Sequence, residues 1–273
     1  GNTKITFYSN GTSTEHSFRR FVPSGGALYP NELYLYLKIA DFPSGIYHYD
    51  IAKHTLVLLR EGNFDTYVSR SIGNSSDITQ SNFCIFVSVF FWKNFFKYHN
   101  FSYRLQSLDC GVVIGQLLEV TKRMGYPSPV YYEFLDEALN HLLGLETKKE
   151  SVYAVIPILS SYEKDSNNKL KSQSFTNHDL SDQIPAVSSS YELGSKEQST
   201  SSLFQKVHTA ALQQSIKSKR EQNNSPKSID YSSDVISLPP GETLSSSFYE
   251  TCKNRTSPSS DFRLGFVSLK QLA

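Results

Sequence analysis

The chain has 273 residues, with 27 Lys and Arg against 26 Asp and Glu and a net charge of +1. That balance excludes a surface built to neutralise phosphates, so no nucleic-acid partner is expected, and it also excludes a dominant acidic tail. The longest apolar run, Cys84 to Trp92, is broken by Ser88 and followed by Lys93, far short of the roughly 20 residues of a bilayer crossing. No basic-then-apolar secretory segment opens the chain, so no membrane partner is expected either.

Three cysteines, Cys84, Cys110 and Cys252, are too widely spaced for a metal knuckle and odd in number for a disulfide framework. Reduced thiols in the cytoplasm are the reading. His16, His48 and His141 have no ligand spacing, and no metal is assigned.

The hydrophobic share, 38% with tyrosine counted, lies below the roughly 45–50% of globular chains. Some stretch is therefore poor in core residues. Residues 1–158 hold 27 of the Phe, Tyr and Trp, and 159–273 only 9, which puts the core in the first part.

There, Glu32 to Ala40 alternates with Leu33, Leu35, Leu37 and Ile39 on one face, the period of a strand. Gly45 to Asp50 and His54 to Arg60 read as a hairpin, Phe64 to Ile72 as a short helix, and Asn82 to Trp92 as a central strand buried on both faces. Tyr103 to Met124 is the longest helical pattern, with Gly125 as its stop and Gly111 and Gly115 four apart in a flat stripe. A strand at Val130 to Phe134, a helix at Leu135 to Leu143 and a strand at Val152 to Ile158 complete an α+β fold, a mostly antiparallel sheet flanked by helices. Beyond it, residues 159–226 read as a Ser-rich linker carrying one amphipathic helix, Leu203 to Arg220.

Arg19 to Tyr36 reads RRFVPSGGALYPNELYLY. Adjacent glycines let backbone amides approach a planar cofactor or its phosphate without a Cβ clash, and arginines upstream offer always-charged phosphate partners. This segment resembles the flavin loop of nitroreductase-like proteins, in the branch of SagB-type dehydrogenases that oxidise azoline rings on peptides. The GIYHYD hairpin at 45–50, the long helix from Tyr103-Arg104 with an inward Gln116, and the closing segments at 142–145 and 152–157 continue the resemblance over about residues 19–158. It implies an FMN-binding domain, normally a homodimer, with a precursor peptide as substrate and a cyclodehydratase as partner. Carried onto this sequence, Arg19, Arg20, Pro23, Ser24, Gly25, Gly26, Leu28, Arg104 and Gln116 would hold the cofactor.

Lys97-Tyr98, between the central strand and the long helix, resembles the pair that azoline dehydrogenases use as base. Making an azole removes a Cα proton while a hydride leaves for the flavin, so a proton acceptor must stand beside the ring. Both groups titrate near 10 unperturbed, so one must be depressed. Taken alone, the pair reads as a solvated lysine beside a packing tyrosine.

Family members usually open with an Arg-x-Ser-like phosphate motif, which residues 1–18 lack, whereas Asn254-Arg255-Thr256-Ser257 resembles it. Residues 227–273 thus read either as the start of a second such domain or as a segment that completes the first with Arg255. Two other functions stay open at this point: a flavin-free peptide-binding domain, and an NAD(P)H-dependent reductase of small compounds.

Overall fold

The computed structural model describes residues 6–10, 13–17, 20–161, 173–187, 200–217, 239–240, 247–256, 265 and 268. The chain divides into two units, Gly1–Val22 with Gln222–Ala273, and Pro23–Glu221. In the first unit β1 (Thr6–Asn10) pairs antiparallel with β2 (Ser13–Ser17).

The second unit is organised by one sheet. Its strands are β3 (Asn31–Leu37), β4 (Gly45–Asp50) and β5 (Thr55–Glu61); then, after the helices α1 (Asp65–Ser71) and α2 (Asp77–Gln80), β6 (Ser81–Phe90). The chain continues through α3 (Trp92–Tyr98), the long α4 (Ser102–Arg123) and α5 (Asp136–Leu143) into β7 (Glu150–Leu159). The five strands lie in the order β5-β4-β3-β6-β7, every pairing antiparallel.

The central strand β6 is apolar at successive positions because both its faces are covered, as its hydrophobic run, interrupted only at Ser88, anticipates. Cys84 and Phe86 join Tyr34, Tyr36 and Ile46 on one face, under Val68 of α1 and Leu139, Leu142 and Leu143 of α5. Ile85, Val87 and Val89 face the other way, onto Phe91, Phe95 of α3 and Cys110 and Ile114 of α4. The tyrosines of β3 are therefore its core residues, and Leu33 and Leu35 are only half buried.

Two expectations change. Val130 to Phe134 is not a strand: only Tyr131 bridges to Val155, and upstream Pro127, which accepts from the Leu159 amide, has no N–H with which to extend the ladder. The stretch read as a linker also contributes structure. Residues 173–187 and 200–217 form β8 (Ser174–Thr176), α6 (Asn177–Ser181), α7 (Ser202–Ala211) and β9 (Ser215–Lys217), and belong to the same unit as the sheet.

β8 pairs with β9, and Leu180 and Ile216 are buried in the core under α5. Asn177 Oδ1 accepts from the Ala138 amide at 3.0 Å, and Asp136 accepts from the Gln213 amide at 2.7 Å. The first unit closes with α8 (Phe248–Asn254), capped by Ser247, whose Tyr249 ring meets Phe21 edge-on at 5.9 Å.

Candidate active site

The segment Pro23 to Pro30 enters β3 through a 3-10 turn at Gly25–Ala27. Its backbone is unusual: Gly26, Ala27 and Tyr29 have φ of 65°, 56° and 50°. Side chains rarely adopt such angles, and non-glycine residues held there mark a segment fixed by its surroundings.

What fixes it is Asp109, buried on α4. Its carboxylate accepts from Ser24 Oγ at 2.6 Å and from the Gly25 amide at 3.0 Å, and Ser24 Oγ in turn accepts from the Tyr29 amide at 3.0 Å. The Ala27 amide donates to Ser24 O at 3.0 Å. Two amides of the glycine turn are therefore satisfied within the protein. Gly25 is glycine for space: a Cβ there would stand 2.6 Å from Leu105 Cδ1.

Gly26 meets a different neighbour. A Cβ on it would collide with the Tyr98 hydroxyl and stand 3.2 Å from Lys97 Nζ. The two residues singled out as the base thus stand directly against the glycine turn. Tyr98 is half buried and Lys97 exposed, with Nζ 5.3 Å from the centroid of the Tyr98 ring. Gly26 and Ala27 are exposed, so the side of the turn that carries this pair opens to solvent.

Ion pairs tie α3 to the sheet just after the turn. Glu32, the second residue of β3, accepts from Lys93 Nζ of α3 and pairs with His48 Nε2 at 3.1 Å. Burial opposes ionisation of Glu32, but His48 and Lys93 outweigh it and hold the carboxyl below its ordinary value. Behind it, the fully buried Glu150 accepts from Ser88 Oγ and Tyr34 Oη, and burial pushes its carboxyl up. Cys110 is a packing residue, its thiol pushed up to about 12 by burial, and so is poorly suited to act as a nucleophile.

The structure therefore brings together Ser24, Gly25, Gly26, Lys97 and Tyr98. Pro23 opens the second unit, Leu28 closes the turn half buried, and Arg104 is exposed one residue before Leu105. The inward glutamine of α4 is Gln106, fully buried and donating to Phe91 O at 2.7 Å, whereas Gln116 is half buried and lies about 10 Å beyond Asp109 along the helix. Arg20 and Arg255 belong to the first unit, and Arg19 and Ser257 lie outside the described residues. Sequence reasoning missed Asp109 and Leu105. The signal was an acid set inside the apolar pattern LDCGVV, one turn from Leu105. Among the described residues no group of His, Cys, Asp and Glu could hold a metal, and no helix is long and apolar enough to cross a membrane.

Over 158 residues the chain is 27% identical to the microcin B17-processing protein McbC of Escherichia coli, covering 56% of each chain. It thus spans about half the length of that relative. A structure described as a nitroreductase from Anabaena variabilis superposes with a TM-score of 0.51 at 24% identity, over 56% of this chain and 31% of the other. The E. coli microcin synthetase McbBCD complex with truncated pro-MccB17 gives 0.47 at 23% identity, over 57% and 60%. Residues 10–158, more than half of the chain, match the model of the nitroreductase family, and the chain belongs to that family.

Proposed function

We propose that this protein is an FMN-dependent dehydrogenase that oxidises azoline rings to azoles on a ribosomally made peptide, in the cytoplasm and alongside a cyclodehydratase. One observation carries the reading: Lys97 Nζ and the Tyr98 hydroxyl stand against Gly26, at the open side of the turn. The 27% identity to a microcin-processing protein points to a peptide substrate.

The donor set fits a planar ring better than it fits a phosphate. Gly25 and Ala27 have their amides engaged, so the turn offers a smooth surface at Gly26 and Ala27 and not a nest of free N–H groups. Lys97 and Tyr98 supply hydrogen-bonding groups at its edge. Within this unit the phosphate contact falls to the exposed Arg104, one of the cations the resemblance selects. When bound, the flavin accepts the hydride that the azoline ring gives up.

The chain's own residues do the rest. Ser24 and Asp109 keep the turn rigid, Gly26 leaves the room that the Tyr98 hydroxyl fills, and whichever of Tyr98 and Lys97 stands deprotonated, as phenolate or free amine, receives the Cα proton while the other hydrogen-bonds it. The ring loses two hydrogens in all, one as hydride and one as proton. We assign a homodimer as the working form, built through α4. Leu108 and Val112 are exposed along one face of it, and a Cβ at Gly111 or Gly115 of that face would meet nothing within 4 Å. A second α4 related by a two-fold axis would cover this face.

The test is to purify the protein with FMN, record its flavin spectrum, and follow a synthetic peptide with one thiazoline by mass spectrometry. Loss of two hydrogens is expected, and it should vanish in Lys97→Ala and fall steeply in Tyr98→Phe. Unchanged turnover in both variants would discard the assignment of the pair. Flavin reduction by NADPH without any peptide turnover would replace the dehydrogenase by a small-molecule reductase.

A further inference from the structure

The turn that follows Tyr98 is strained and poorly held from within. His99, exposed, has φ of 47° and ψ of −135°, a backbone that side chains other than glycine's rarely adopt. Beneath it the junction of α3 and α4 is polar. Asn94, Ser102 and Gln106 are fully buried, and both amide atoms of Asn94, the Ser102 hydroxyl and the Gln106 carbonyl have no hydrogen-bond partner among the described residues. Such groups weaken a junction that is otherwise tied by the Gln106 amide to Phe91 O at 2.7 Å, so part of its grip must come from outside.

It comes from α7. Phe204, about 1% exposed, meets the rings of Phe91, Phe95 and Tyr103 edge-on at 5.1, 5.6 and 5.1 Å. One turn later His208 packs on Phe91 at 4.7 Å and bonds Thr147 O through Nε2 at 3.1 Å. Ser201, which caps α7 by accepting from the Phe204 amide, also donates to Asn100 Oδ1 in the strained turn itself. Phe91 and Phe95 lie before Lys97, and Asn100 and Tyr103 after Tyr98, so α7 grips the segment on both sides of the pair.

We propose that α7, through Phe204 and His208, is the positioning element of the Lys97 and Tyr98 pair, clamping the strained turn at His99 so that both groups are held against Gly26. The proposal rests on the reading of that pair as proton acceptor. Phe204 and His208 touch neither the turn nor the reacting ring, and act only through α3 and the start of α4.

The molecule contains its own reporter. Trp92, the single tryptophan, begins α3 and packs on Phe95 at 6.1 Å. In the full chain loaded with FMN, Phe204→Ala is expected to shift Trp92 emission to the red and raise its quenching by acrylamide. With the thiazoline peptide it should lower kcat by about 10- to 100-fold with KM little changed, while Phe204→Leu restores part of both. Asn100→Ala, which leaves the α7 cap intact, tests the clamp where Phe204→Ala proves too unstable, and should produce the same effects to a smaller degree. Folded variants with wild-type Trp92 emission and wild-type kcat overturn the proposal. So does a moved Trp92 with kcat unchanged in a protein that Lys97→Ala inactivates. If Lys97→Ala and Tyr98→Phe both turn over normally, the reading of the pair fails separately, and an unmoved Trp92 then disposes of the clamp as well.

Discussion

The hydroxyl of Tyr98 fills the space that a Cβ on Gly26 would take. Gly26 also has φ of 65°, so alanine there meets two penalties of different kinds. The backbone strain costs about 1 kcal/mol. The displaced phenol costs stability little, because the far end of a side chain can swing, but it leaves the turn. Gly26→Ala is therefore expected to lower the melting temperature slightly and turnover of a thiazoline peptide by about 10-fold or more. A variant that melts early but turns over normally would mean that the Tyr98 position is not used.

Asp109 holds the turn by two hydrogen bonds, from Ser24 Oγ and the Gly25 amide. Asparagine keeps the shape but offers one acceptor oxygen in place of two and removes the charge. Bonds to a charged partner contribute about 1.5–3 kcal/mol, so Asp109→Asn should destabilise the protein by an amount of that order in urea titration. Ser24→Ala leaves the Gly25 bond to Asp109 intact but removes two bonds of its own, to Asp109 and from the Tyr29 amide, so it should cost about as much. A much smaller loss in Ser24→Ala would mean that the carboxylate anchors the turn through the Gly25 amide alone.

How much of this was legible in the sequence differs between elements for physical reasons. β6 was readable because a strand covered on both faces must be apolar at successive positions. The glycine turn was readable because RRFVPSGGALYP is a rare string that runs straight into a strand. The inner face of α4 was not. That helix turns Ser102, Gln106 and Asp109 inward beside Cys110 and Ile114, and leaves Leu108 and Val112 outside, which blurs the usual amphipathic rule. α7 was found as a helix but lost as part of the unit. Ser-rich neighbours lower the local composition, and nothing in Leu203 to Ala211 tells that Phe204 and His208 are the two residues that pack.

The exposed apolar side chains of α4 have a measurable consequence. If a second copy covers them, a charge at Val112 is carried into an apolar interface, at a cost of about 3 kcal/mol or more. Val112→Glu should then weaken self-association by about 100-fold or more and yield monomers in sedimentation velocity at micromolar protein. Because Val112 is exposed within one chain, the fold of each subunit should survive. An unchanged sedimentation coefficient would show that α4 faces water in the assembled protein.

Asp136 gives the attachment of α7 and β9 a pH dependence. Burial pushes its carboxyl up from 3.8 to about 6, and the amide bond from Gln213 only partly offsets this. The folded state then binds the proton more tightly than the unfolded chain. The contribution to stability is complete below about 3.8 and is lost as pH rises through 6. A shift of this size corresponds to about 3 kcal/mol at most. Asp136→Asn keeps an acceptor for the Gln213 amide and carries no charge at any pH, so it should lack the slope. Urea unfolding between about pH 4 and pH 7.5 should show the variant gaining on the wild type by up to that amount as pH rises. Parallel curves would mean that Asp136 is as well solvated in the folded chain as in the unfolded one, and that the Gln213 tie does not bury it.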